Sequence, residues 1–226
     1  MVRSYKLAIS LSLAAFALGV APATASLVDS RSTADGALIG GGQYSPPPTD
    51  NGYKVSWNIS QNMDSSWHYE YTFTEQDNDN LSPATSHMII QLSENITSAD
   101  IYNIGGDVQS ATFNTFGPHP SNPGFPGGES IFGIKFDLNG DQRTVTFDST
   151  RQPMWGDFYA KGGSSSFVYN ADLGVDVANA NDYNAVPIDA AGGSLSKVLV
   201  PDTIPEPTSV MLLALASAAF ASRRRA

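Results

Sequence analysis

Trp67, Tyr69, Tyr71 and Phe73 alternate with His68, Glu70 and Thr72. An apolar period of two suits a strand with one face in a core and the other in water; a helix would scatter these rings around its axis. Tyr53, Val55, Trp57 and Ile59 repeat the pattern upstream. Further strands are predicted at His87 to Leu92, Ile131 to Asp137, Arg143 to Asp148, Trp155 to Lys161, Ser166 to Asn170 and Leu195 to Val200. Clusters of Gly, Pro, Asn, Asp and Ser separate them, and no useful helical periodicity occurs away from the two ends. Short strands at this spacing predict an all-β fold, an antiparallel β-sandwich or jelly roll. The chain has 226 residues and no cysteine. That rules out a disulfide framework, thiolate metal sites and cysteine nucleophiles, so packing must hold the fold. Residues 26–202 are enough for one hydrophobic core and too few for two comfortable domains.

The two ends differ from this middle. Arg3 and Lys6 precede the apolar stretch Leu7 to Val20, and Ala23-Thr24-Ala25 supplies a small-x-small cleavage pattern. Residues 1–25 therefore read as a secretory signal peptide, with a helical apolar core, cut between Ala25 and Ser26. At the other end Pro205-Glu206-Pro207 is followed by the apolar run Val210 to Ala221 and then by Arg223-Arg224-Arg225. As a helix that run would rise about 18 Å, short of the roughly 30 Å hydrocarbon core of a bilayer. It suits a strained or temporary transmembrane helix rather than a permanent anchor. The positive-inside rule keeps the arginines cytoplasmic and leaves Glu206 at the outer face. Prolines on both sides fix φ and remove backbone donors, so the carboxylate stands on an extended segment open to recognition.

This order of parts, over residues 203–226, resembles the PEP-CTERM sorting signal of exported bacterial proteins. The resemblance implies that Pro205, Glu206 and Pro207 are read by an exosortase-type processing protease while the apolar run and the arginines hold the chain in the inner membrane. It also implies delivery to the cell surface or extracellular matrix. It supplies no activity for residues 26–202.

Leader and tail hold five of the 12 basic residues but only one of the 22 acidic ones, so the middle is more acidic than the whole chain, whose net charge is −10. Such a surface repels nucleic acid and anionic lipid, whose phosphates need Lys and Arg. Neutral sugars, cations and other proteins are the partners that fit, extracellular polysaccharide among them.

Asp137, Asn139 and Asp141 have the spacing of a calcium loop, with Asp148 at its twelfth position. Gln142 stands where the loop needs glycine, and the twelfth residue is not the usual glutamate. Ile134 and Phe136 on one side and Val145 and Phe147 on the other alternate around Asn139-Gly140, so a tight hairpin is expected there in preference to a metal site. Gln76 to Asn80 reads as an ordinary acidic loop. Gly40 to Asn51, with three consecutive prolines, and Gly117 to Gly128, with four separate ones, are expected as loops, the second as a long surface excursion. The sequons at Asn58 and Asn95 carry little weight in a bacterial-type exported chain.

Trp57, Trp67 and Trp155 are of the type that stacks on sugar rings. Alternating aromatics in a strand more often form its core face, and exposure decides between the two. The segment Trp155 to Gly163 is dense enough in aromatics and glycine to mark the fold. His68, His87 and His119 are scattered, no nucleophile elbow or phosphate loop occurs, and Glu70, Glu75, Glu94 and Glu129 form no recognisable glycosidase pair. The expectation is an exported envelope or matrix protein with a structural or adhesive role, no cofactor and no catalysis. A carbohydrate-binding module is the alternative, and a glycan-acting enzyme a weaker one.

Overall fold

The computed structural model describes residues 26–46, 52–75, 81–139, 144–163 and 165–201. The expected leader, the sorting tail with both expected terminal helices, residues 140–143 and the expected acidic loop 76–80 lie outside these residues. Among the described residues there is no α-helix, and no helix long and apolar enough to cross a membrane. The fold is all-β and antiparallel, consistent with a β-sandwich.

One sheet runs β1 (Ser26–Ser32), β3 (Lys54–Gln61), β4 (Trp67–Thr74), β9 (Thr144–Ser149), β6 (Ile101–Gly106). The other runs β2 (Leu38–Gly41), β12 (Phe167–Asn170), β11 (Phe158–Gly162), β5 (Thr85–Gln91), β8 (Ile131–Leu138), β7 (Val108–Phe116). A small third sheet pairs β10 (Pro153–Gly156) with β13 (Val198–Pro201).

The alternating rings face inward. Val55, Trp57, Ile59, Tyr69, Tyr71 and Phe73 are buried in a core shared with Met88, Ile90, Ile134 and Phe136 of the opposite sheet. The Phe147 ring lies 5.0 Å from Tyr69 on its own sheet and 5.3 Å from Phe136 on the facing one. Burying tyrosines requires partners for their hydroxyls. Tyr71 donates to the Leu199 carbonyl at 2.8 Å, Tyr69 to that of Arg151 at 2.9 Å, and Tyr53 meets Thr85 Oγ1 at 3.2 Å.

Two expectations are corrected. The predicted hairpin at Asn139-Gly140 does not form: β8 pairs with β5 and β7, whereas β9 pairs with β4 and β6 in the other sheet. Inward-facing alternation is the same for two strands side by side and for two strands face to face, so the pattern could not tell them apart. The connection instead crosses the sandwich beside a second crossing, from β6 to β7. Asp107, between those two strands, ties the crossings together: its N–H donates to the Thr144 carbonyl at 2.9 Å and its Oδ2 accepts from the Thr144 N–H at 3.1 Å. Its carbonyl accepts from the Asn139 N–H at 3.3 Å.

The strand predicted from Trp155 to Lys161 breaks at Asp157, because β10 leaves to pair with β13 while β11 stays between β5 and β12. The stretch Gly117 to Gly128 is a long surface loop, as expected. It folds over the outer face of the six-stranded sheet, where Phe125 joins Ile89, Ile131, Tyr159 and Leu173 in a second apolar cluster. The Tyr159 hydroxyl donates to the Pro123 carbonyl at 2.9 Å.

Candidate functional site

The break at Asp157 places a charged side chain inside the protein. Asp157 is 4% exposed and Lys197, just before β13, is 1% exposed, and their charged ends meet at 2.5 Å. Neither group is left with an unshared charge. Asp157 Oδ1 also accepts from Asn170 Nδ2 at 2.9 Å, and Oδ2 from the Gly174 N–H at 3.1 Å. The Lys197 ammonium donates a second bond, to the Asp172 carbonyl at 2.8 Å. Asn170 Oδ1 accepts from the Phe158 N–H at 2.8 Å, and Gln91 Oε1 from the Asp157 N–H at 2.9 Å.

The network joins β5, β11, β12, the 171–175 turn and the approach to β13. A cleft of about 450 Å³ opens beside it, lined also by Glu129 and Asp176. A carboxylate already accepting from three donors, facing an ammonium held by a carboxylate and a carbonyl, has little left to offer a substrate. The arrangement holds structure at a strand break.

A second cleft, of about 340 Å³, lies between β1 and the 183–187 segment. At its base the Arg31 guanidinium covers two tryptophans, 5.1 Å from the Trp57 ring centre and 5.5 Å from that of Trp155. The indoles meet edge to face at 6.3 Å. Asp29 pairs with Arg31 at 2.7 Å. Trp155 Nε1 donates to the Ala185 carbonyl at 2.9 Å, fastening the segment that walls the cleft, while Trp57 Nε1 is buried with no partner among the described residues.

The three tryptophans weighed for sugar stacking against the core face differ in exposure. Trp57 is 1% exposed and Trp155 6%, so neither offers an open ring face. Trp67 is half-buried, edge-on to Tyr183 at 5.8 Å. Stacking on a sugar needs an accessible ring, and the rings of Trp57 and Trp155 are given to the core.

The calcium spacing is not gathered into a site. Asp137 pairs with Lys135 at 2.9 Å and accepts from Ser110 at 3.0 Å on the outside of the six-stranded sheet. Asp148 belongs to the five-stranded sheet, where it meets His68 Nδ1 at 2.8 Å and Asn103 Nδ2 at 2.7 Å. Burial works to raise the Asp148 carboxyl, but the Asn103 and His68 hydrogen bonds and the His68 charge bring it below the ordinary carboxylate range. Asn139 is exposed and Asp141 lies outside the described residues. No group of three or more potential metal ligands occurs among the described residues.

The histidines are equally separate. His119 caps its own turn through Ser121. His87 is buried under the 117–128 loop, stacked 6.0 Å from Tyr159. Burial, with Lys135 and Lys161 nearby, lowers its pKa to about 4 against the opposing influence of Asp137 and Asn122. Glu70 lies on β4 and Glu75 directly after it, while Glu94 is in the β5–β6 connection and Glu129 on the approach to β8.

Sequence reasoning missed Asp157, Lys197 and Arg31. Asp157 could have been noticed as the one acidic residue inside the aromatic run from Trp155 to Gly163. Nothing local marks Lys197, whose partner is 40 residues away.

Pro205, Glu206, Pro207, Arg223, Arg224, Arg225, Ala23 and Ala25 lie outside the described residues. No curated protein and no solved structure matches the chain. At its carboxyl end, residues 203–225 match the family described as the PEP-CTERM protein-sorting motif, which marks the chain as an exported protein that is held in the membrane while an exosortase sorts it.

Proposed function

We propose that the β-rich body is an exosortase-delivered component of the cell envelope or extracellular matrix, with a structural or adhesive role and no catalysis. The observation that carries the reading is the sorting motif at residues 203–225, joined to a body whose buried ionic groups are spent on one another. Asp157 and Lys197 hold a strand break, and His68 is turned toward Asp148 on an outer face. The rings of Trp57 and Trp155 are packed away, which favours this reading over a sugar-binding module built on those residues. Apolar cover on both sides of the six-stranded sheet suits a protein that must persist outside the cell without disulfides.

Fractionation of a producing strain tests the proposal. The processed body is expected in the surface or matrix fraction, and a strain lacking the protein is expected to shed more of its matrix. A processed body found free in the medium, with matrix cohesion unchanged when the protein is absent, contradicts the role. A glycan array bearing neutral polysaccharides is expected to show no binding that Trp57→Ala or Trp155→Ala abolishes without unfolding the chain.

A further inference from the structure

The two sheets have four edges, and three of them are guarded. An edge strand exposes a row of unpaired N–H and C=O groups, and proteins blunt such rows with charge, shortness, proline or irregular backbone. β1 carries Asp29 and Arg31. β2 is 4 residues long. β6 shifts register between Tyr102 and Gly105, around Asn103 at φ 50. β7 has 9 residues, Val108–Phe116, none of them Asp, Glu, Lys, Arg or Pro. Its one irregularity lies at the start, between Val108 and Ser110, and from Ser110 to Phe116 it runs in regular register with β8.

A second observation falls on the same edge. Val108, Ala111 and Phe113 pack against the central core yet stay only partly buried, because among the described residues no strand lies beyond them. Here the sandwich has both an open hydrogen-bonding ladder and an open apolar seam. We propose that β7 is an interaction surface for a second copy of this chain, the two β7 strands pairing antiparallel about a two-fold axis near Thr112 to join two six-stranded sheets into one.

Charge argues for this occupant. In a chain with 22 acidic and 12 basic residues, most contacts between two copies bring carboxylates together. β7 is an uncharged stretch in that surface. Pairing centred on Thr112 sets Ala111 against Phe113 on the inner face and Ser110 against Asn114 on the outer, so apolar meets apolar and polar meets polar. A two-fold contact is self-complementary and closes at two copies.

The test uses the exported chain, purified and sedimented over a range of concentrations. The wild type is expected to form a dimer. Thr112→Lys and, separately, Asn114→Lys place like charges opposite one another across the axis; both positions are exposed, so the thermal midpoint should hold while the dimer dissociation constant rises tenfold or more. Mixing Thr112→Lys with Thr112→Asp should restore association. Because the chain has no cysteine, Thr112→Cys should oxidise to a covalent dimer much faster than Glu94→Cys, a control on a distant exposed loop. A wild type that stays monomeric at all concentrations, a dimer indifferent to both lysine variants, or Thr112→Cys chains crosslinking no faster than the control would overturn the proposal. So would association with a different protein through β7 in place of self-pairing.

Discussion

His87 shows how one buried side chain makes stability depend on pH. Its folded pKa is about 4, against an ordinary value near 6.5. Between those values the unfolded chain binds a proton that the folded chain refuses. The His87 contribution is therefore complete above about pH 6.5, is lost as pH falls, and is exhausted near pH 4. The shift corresponds to at most about 3 kcal/mol. Urea unfolding at pH 7, 5.5 and 4 should show this loss in the wild type and a shallower one in His87→Leu; parallel pH slopes would remove His87 as the cause. Lys197 makes a different prediction. Removing one partner of a buried ion pair strands the other, so Lys197→Met should cost about 3–5 kcal/mol at neutral pH. Chemical unfolding of Lys197→Met and of Lys197→Met with Asp157→Leu should show the double variant recovering much of that loss. A single variant as stable as wild type would mean that Asp157 is satisfied without the lysine.

At the scale of elements, the crossing beside Asp107 replaces the expected hairpin and can be tested through Gly106. This glycine has φ +70, and an added Cβ would lie 2.6 Å from the Thr144 carbonyl oxygen. Gly106→Ala should therefore destabilise the fold by more than about 1 kcal/mol, the usual cost of the left-handed conformation, because backbone on the opposite crossing must also move. An unfolding midpoint unchanged from wild type would deny the close approach. The interior strands were legible in the sequence because they bury apolar side chains, either on one face as alternation, as Trp67 to Phe73 does, or on both as a continuous run, as Met88 to Ile90 does. The four strands that were not legible, β1, β2, β6 and β7, are the four edges. An edge strand has a neighbour on one side only and tolerates polar residues toward the core rim, so Val108–Phe116 reads as loop. Which strands share a sheet was illegible for another reason: Phe136 and Phe147 carry the same pattern whether they sit beside or across from one another.

For the whole molecule, sorting was legible and the body's interior chemistry was not. The sorting motif is written in the local order of its residues, whereas Asp157, Asn170 and Lys197 become a network only when the fold brings them together. The small-x-small pattern Ala23-Thr24-Ala25 places the expected leader cut before Ser26. Mass spectrometry of the exported chain should accordingly find Ser26 at its amino end, and Ala25→Arg should block that cut; a start well inside β1 would remove an edge of the sandwich. The central claim concerns the other end, where residues 203–225 carry the sorting motif. Its most direct test is Glu206→Ala in a host that has the processing exosortase, with membrane and released fractions compared by mass. The wild type should be cut near the motif and leave the membrane, while Glu206→Ala folds, is exported and remains in the membrane fraction with Arg223, Arg224 and Arg225 attached. Release of Glu206→Ala at the wild-type rate, without its tail, would contradict the account.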